Sequence, residues 1–145
     1  MTVKRQRTVA AAPAAVWDLV SDPHHLPRWW PGVQRVEEVT GDAWTKVLRT
    51  KRGRTVRADY TRVSWRPQKE IIWRQEVEES PFERILDESM TTISLEPIGS
   101  DQTRVQIAAD QELHGRYRTG GFMLRRATRR LLDQALDGLE QAVGA

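Results

Sequence analysis

The feature that most constrains the fold is a change of hydrophobic period near the carboxyl terminus. From about Arg116 to Val143, apolar residues recur at three- and four-residue steps, which predicts one long amphipathic α-helix. Its apolar face has to be covered, and the only large apolar surface left is one face of a β-sheet. The predicted stripe contains Leu124, Ala127, Thr128, Leu131, Ala135, Leu139 and Ala142, widened by Leu132 and Leu136.

The residues before this helix predict that sheet. Between Val33 and Glu112, extended segments alternate with turn sequences, so we expect six consecutive strands in an antiparallel meander. Residues 2–9 predict one further strand at the amino terminus. One sheet face is apolar, because every second residue is apolar or uncharged in two segments, namely Ile71, Trp73, Gln75 and Val77, and Val105, Ile107, Ala109 and Gln111.

Two short helices are predicted between the first strand and the meander. Pro13 suits the first turn of a helix, and Asp22-Pro23 ends it, because the residue before proline avoids the α region. A second helix is predicted from His24 to Trp29, and Pro31-Gly32 marks the exit into extended chain.

These elements predict an α+β fold in which a curved antiparallel sheet of six to seven strands wraps around the long carboxy-terminal helix. A length of 145 residues predicts a single domain spanning 1–145. A sheet wrapped in this way leaves space between helix and sheet near one end. We therefore expect a ligand cavity there.

Composition excludes several kinds of site. The chain has no cysteine, so disulfides, thiolate nucleophiles and cysteine-bound zinc are ruled out. Its histidines, His24, His25 and His114, do not form a metal-binding cluster, and no glycine-rich phosphate loop is present, so we expect neither metal nor cofactor. The apolar run after Arg7 is too short for a signal peptide, and no segment could span a bilayer. We expect a cytoplasmic protein without a membrane span.

Charge is arranged in blocks along the chain. Residues 46–66 hold eight basic groups and one acidic group, whereas residues 70–101 hold two basic and nine acidic groups. Ion pairs across an outer sheet face explain such blocks. The alternative is a basic surface for a macromolecule, and because no aromatic RNA-binding signature accompanies the arginines, we do not expect a nucleic-acid partner. That surface would contain Arg49, Lys51, Arg52, Arg54, Arg57, Arg125, Arg126, Arg129 and Arg130.

Three segments and the long final helix resemble the START/polyketide cyclase (SRPBCC) superfamily, which has the helix-grip fold. The segments are residues 12–23 (APAAVWDLVSDP), residues 26–33 (LPRWWPGV) and residues 95–105 (LEPIGSDQTRV). The resemblance covers essentially the whole chain. It implies a hydrophobic ligand cavity between helix and sheet, with its entrance near the second short helix. It carries over no catalytic residue, because superfamily members share the cavity and differ in its use.

Tryptophan supplies the first candidates for the cavity wall, because its large apolar face and single N–H suit flat or oily ligands. Trp17 is interpreted as core packing under the first helix. Trp29 and Trp30 fall at the expected entrance, where one should fill the core and the other border the opening. Trp73 shares the apolar face of its strand and is the best cavity candidate.

Tyr60 shares a strand face with Val56 and Ala58, and an inward phenol could bind a ligand carbonyl, bond to Gln75 or act as a weak acid. Val63 and Trp65 prefer the opposite face, which predicts either a bulge in this strand or a frayed strand end. The remaining predicted lining residues are Val56, Gln75 and Ile107 from the sheet and Phe122, Leu124 and Ala127 from the long helix.

Three functional hypotheses follow. The first is binding or transport of a hydrophobic small molecule, lipid-like or aromatic, by a monomer or homodimer. The second is a cyclase, aromatase or dehydratase in which Tyr60 acts with a buried carboxylate from among Asp87, Glu88 and Asp110. The third is macromolecule binding through the arginine-rich surface. Whether the protein is an enzyme stays open at this point.

Overall fold

The computed structural model describes residues 1–115 and 121–144. In this part of the chain, helices are α1 (Pro13–Val20), α2 (Leu26–Trp29) and α3 (Gly121–Gly144), with a 3₁₀ turn at Pro23–His25. The strands are β1 (Thr2–Val9), β2 (Val33–Glu37), β3 (Ala43–Arg49), β4 (Thr55–Arg66), β5 (Glu70–Gln75), β6 (Leu86–Ile98) and β7 (Gln102–Leu113).

One antiparallel sheet contains all seven strands, in the order β1-β7-β6-β5-β4-β3-β2. The run from β2 to β7 is therefore the predicted meander of six strands, and β1 adds a seventh beside β7. The pairing of β4 with β5 shifts between Arg62 and Ser64 and then continues to Arg66, so of the two predicted alternatives the strand has an irregularity beside Val63 and not a frayed end. The predicted fold class is confirmed.

The short helices lie where the sequence predicts, with one difference. The segment predicted as a single helix from His24 is divided into the 3₁₀ turn and α2, because Asp22 accepts a hydrogen bond from the His24 backbone N–H and caps the turn. Helix α2 packs closely on α3. A Cβ on Gly138 would lie 2.3 Å from the Trp29 carbonyl oxygen, so only glycine permits this approach.

Helix α3 covers the concave face of the sheet, as its apolar stripe requires. Leu132, Ala135, Leu136 and Leu139 are buried in one cluster with sheet residues such as Ile107. The helix begins at Gly121 in the described part, and the predicted start near Arg116 lies outside the described residues. None of the described helices is long and apolar enough to cross a membrane.

Ion pairs fasten the outer side of α3 to the edge strand β1. Arg5 contacts Asp133 at 2.7 Å, and Arg7 contacts both Asp137 and Glu140. The acidic residues lie four and three positions apart, so they share one helix face towards β1. These pairs lie on the polar side of α3, opposite to its buried stripe.

Candidate functional site

A cavity of about 490 Å³ lies between the concave face of the sheet and the first half of α3. Its mouth is formed by the exposed residues Gly32, Arg49, Thr50 and Lys51, beside the end of α2. The predicted space between helix and sheet is therefore present. The other lining residues are Trp30, Pro31, Lys46, Leu48, Tyr60, Gln75, Ser89, Thr91, Ala109, Gln111, Thr128, Leu131, Leu132 and Gln134.

Lys46 is the most unusual residue of this cavity. It lies on β3 between Trp44 and Leu48 on the same strand face, and it is only 1% exposed. Its Nζ lies 4.2 Å from the ring centre of Tyr60, 4.4 Å from that of Trp30 and 4.9 Å from that of Trp73. In the described part of the chain, Lys46 has no hydrogen-bond or ion-pair partner, and its amine lies over the faces of these three rings.

The rings around Lys46 hold one another in place. Trp44 stacks on Tyr60 with ring centres 6.1 Å apart and an interplanar angle of 8°. Trp73 meets Trp30 and Trp44 edge to face, at 5.7 Å and 5.8 Å. Both arrangements are favourable for aromatic pairs. The amine is therefore held in a rigid aromatic pocket.

Two opposing effects set the charge of Lys46. Burial lowers the pKa of Lys46 from its ordinary value of 10.5 to about 7, because the ammonium loses its hydration. The ring faces act in the other direction, since their quadrupoles attract a cation. Burial also raises the pKa of Tyr60, which keeps its phenol protonated. Near neutral pH, both forms of the Lys46 amine are accessible.

The cavity wall also presents polar atoms without partners. The Gln75 Nε2 donor and the Gln111 Oε1 acceptor are buried and have no hydrogen-bond partner in the described part of the chain. Buried polar groups are normally satisfied, so such atoms at a cavity wall are suited to binding a ligand. Among the lining residues none is Asp, Glu or His, whereas three carry basic groups, namely Lys46, Arg49 and Lys51.

The structure brings three of the predicted site residues to the cavity wall, namely Trp30, Tyr60 and Gln75. Trp73 lies directly behind the wall, with its ring against the Lys46 amine. Trp29 is buried in the core cluster with its ring 5.4 Å from that of Trp30, its backbone lies against Gly138 of α3, and it does not line the cavity. Trp29 thus fills the core while Trp30 lines the cavity, which separates the two roles that the sequence left open.

The other predicted site residues lie away from this cavity. Ile107 is fully buried in the core, and Val56 is half-buried on β4. On α3, Phe122 is 78% exposed and Ala127 is also exposed, while Leu124 packs with a small cluster around Leu113. The helix instead turns Thr128, Leu131 and Leu132 towards the cavity. Contact of these five residues with a ligand stays a prediction.

The carboxylates proposed as acid or base do not point inward. Asp87, Glu88 and Asp110 are all exposed, which corrects the prediction that one of them is buried in the cavity. Asp87 instead contacts His114 at 2.6 Å. An isolated carboxylate is costly to bury, and at their exposed positions on β6 and β7 these residues stay in water. The described residues contain no cluster of three side chains that could hold a metal ion.

Lys46 is the site residue that the sequence interpretation missed. The sequence places Lys46 in the basic block of residues 46–66, for which ion pairs on an outer sheet face are expected. The available signal was strand parity, because Lys46 shares its face with Trp44 and Leu48. That signal was weak, since Thr45 and Val47 on the opposite face are buried as well.

The predicted arginine-rich surface is divided in the structure. Arg57 forms an ion pair with Glu37 at 2.6 Å, and Arg125 donates to the backbone oxygen of Thr2. Arg49 and Lys51 belong to the cavity mouth. This arrangement gives macromolecule binding no additional support.

Solved structures with the same architecture exist. A START superfamily protein from Mycobacterium smegmatis superposes with a TM-score of 0.81 at 17% identity, covering 99% of this chain and 97% of that one. The Zhui aromatase/cyclase from Streptomyces sp. R1128 gives 0.80 at 18% identity, covering 99% and 93%. The di-domain aromatase/cyclase BexL of the BE-7585A biosynthetic pathway gives 0.84 at 20% identity, and the match covers 99% of this chain but 46% of BexL. Identities this low establish the fold.

Sequence comparison identifies the family. No curated protein matches this sequence closely enough to count as a relative. A family model described as "Polyketide cyclase / dehydrase and lipid transport" matches residues 1–144, nearly the whole chain. Together with the helix-grip architecture, this indicates a START-like fold of the kind that binds hydrophobic ligands. The chain therefore belongs to the polyketide cyclase/dehydrase and lipid-transport family, within the superfamily that its sequence resembles.

Proposed function

We propose that this protein binds and carries a hydrophobic small molecule, lipid-like or ring-containing, with the whole chain acting as one ligand-binding domain. The observation that carries the proposal is the cavity of about 490 Å³ between α3 and the sheet. Its size falls within the range of ordinary ligand pockets, roughly 300–1,000 Å³.

The chemistry of the walls supports the same function. Leu48, Leu131 and Leu132 offer aliphatic surface, and Trp30 and Tyr60 offer aromatic faces. Polar groups are few and are held by strands or by α3. Such a surface favours a mostly apolar molecule whose orientation is fixed by one polar end.

The proposal is tested by filling the cavity. Native mass spectrometry of freshly purified protein identifies any compound that copurifies, and calorimetry measures the binding of apolar acids, alcohols and aromatic compounds. Ala109→Leu extends a side chain from β7 into the cavity, whereas Ala127→Leu adds the same atoms at an exposed position of α3 away from the cavity.

We expect Ala109→Leu to lower affinity for bulky ligands by about tenfold or more, since the added methyl groups compete for the same space. Ala127→Leu should bind as the native protein does. Equal binding by native protein and Ala109→Leu would contradict the proposed location. Absence of any binding across the panel would contradict the function itself.

Catalysis is a second candidate, favoured by the pairing of Lys46 with Tyr60 in the cavity. A neutral amine can accept a proton from a carbon next to a ligand carbonyl, and a protonated phenol can donate a hydrogen bond to that carbonyl oxygen. A cyclisation or dehydration would need both groups. Turnover of a poly-β-ketone that is lost in both Lys46→Met and Tyr60→Phe would support this function, and binding without turnover would support a carrier.

A further inference from the structure

We infer that the ligand carries an acidic group, such as a carboxylate, and that this group pairs with Lys46 inside the cavity. This inference rests on the proposed function, because it names the chemical class of molecule that the same cavity takes. It follows from the placement of charge around Lys46.

Among residues 1–115 and 121–144, no side chain serves as a counter-ion for the Lys46 amine. Its neighbours are the faces of Trp30, Tyr60 and Trp73, which attract a cation but carry no charge. The other titratable groups that line the cavity are Tyr60 on β4, and Arg49 and Lys51 at the mouth. None of these is an acid at neutral pH. A buried ammonium is costly unless it is paired, so an anion from outside the described chain would stabilise the charged form of Lys46.

The mouth of the cavity is positively charged, like the protonated amine of Lys46 inside it. Arg49 and Lys51 are exposed there, and no acidic residue lines the cavity between them and Lys46. Basic groups along a cleft raise the local concentration of anions and speed their entry. An anionic ligand is therefore attracted at the mouth and finds its counter-ion further in.

The side chain of Gln75 offers a second hydrogen-bond donor for the acidic group of the ligand. The Gln75 amide has a buried N–H group without a partner, and Gln75 lies two residues from Trp73 on the same face of β5. A carboxylate has two oxygens that accept several hydrogen bonds, so it could accept from Lys46 and Gln75 together. The apolar body of the ligand would then lie against Leu48, Leu131 and Leu132.

The experiment compares acids with neutral molecules of matched shape. Decanoic acid is paired with decanol, and naphthoic acid with naphthylmethanol, and binding is measured by calorimetry. The proteins are the native chain, Lys46→Met and Lys69→Met. Lys69 is exposed in the turn before β5, so its substitution removes the same charge outside the cavity. Circular dichroism checks that each variant is folded.

At about pH 6, below the pKa of about 7 of Lys46, we expect each acid to bind the native protein about tenfold more tightly than its alcohol, as a charge-assisted hydrogen bond predicts. Lys46→Met should lose that preference and keep its affinity for the alcohols. Lys69→Met should behave as the native protein does.

The pH dependence gives a test that needs no variant. As pH rises above 7, the free amine loses its proton, so binding of an acid must be accompanied by proton uptake. We expect affinity for the acids to fall by up to about tenfold per pH unit there, because one proton is taken up. Affinity for the alcohols should not fall.

The outcomes separate the two proposals. Equal binding of acids and alcohols by the native protein would overturn the inference and leave the proposed function intact. Loss of alcohol binding in folded Lys46→Met would also overturn it, because Lys46 would then only shape the cavity. Absence of binding by all four probes would contradict both proposals.

Discussion

The two halves of α3 pack against the sheet in different ways. In the second half, Leu136 and Leu139 have no exposed surface and lie in a continuous core with Val105. In the first half, Leu131 is 37% exposed and borders the cavity. One amphipathic stripe thus covers a filled core at one end and a hollow at the other.

The facing strands explain the difference. The core cluster that contains Leu136 and Leu139 includes the apolar sheet residues Val9 and Val105, which have almost no exposed surface. The wall opposite the first half is formed by Lys46, Tyr60 and Gln75, whose polar atoms oppose close packing of hydrocarbon. Stability is therefore expected to reside mainly in the filled half, and ligand binding in the hollow half.

The largest expected effect comes from truncating the filled half. Leu136→Ala should lower the free energy of unfolding by about 3 kcal/mol, because it leaves a cavity in a close-packed core. Leu131→Ala, on the same helix, should cost less than about 1 kcal/mol, because its side chain already borders open space. Urea denaturation measures both. Equal losses would refute the contrast between the halves.

A smaller effect, of opposite sign, is expected in the hollow half. Lys46→Met should raise the free energy of unfolding at neutral pH by about 2 kcal/mol, because an unpaired buried amine is replaced by an apolar chain of similar length. The folded pKa of Lys46, about 7, lies below its ordinary value of 10.5, so the unfolded chain binds more protons between these values.

The cost of burying Lys46 is therefore fully present below pH 7 and disappears as pH rises towards 10.5. Native stability should increase relative to that of Lys46→Met across this window, as measured by urea denaturation at a series of pH values. If the free energies of unfolding of the two proteins changed with pH in parallel, burial would not lower the pKa of Lys46 as expected.

The smallest effect is expected at the outer side of α3, which neither half of the interface includes. Asp133→Ala removes the partner of Arg5, and both side chains are more than one third exposed. We expect a loss below about 1 kcal/mol that vanishes at high salt. A larger loss that persists in salt would indicate that this edge contributes to the core.

Much of the fold could be predicted because it depends on the spacing of apolar residues along each helix and strand. Alternation around Trp73 and the stripe through Leu139 each indicate which side of an element is buried. The site was less predictable, since which of Trp29 and Trp30 lines the cavity depends on how closely α2 approaches Gly138. The alternation of residues along the strands predicts that Tyr60 and Gln75 face the cavity. The apolar stripe of α3 is the same over the filled core and over the cavity, so it does not show where along the helix the cavity ends.

The sequence by itself determined the sheet, the long helix and the burial of their facing sides. The reason is that side chains repeat on one face about every 3.6 residues in a helix and every two residues in a strand, so the order of apolar residues decides which face is buried. Only the tertiary structure decided that Lys46 points inward and has no acid beside it among the described residues. The reason is physical. The cost of a buried charge depends on the groups that surround it in space, and strands distant in sequence supply those groups.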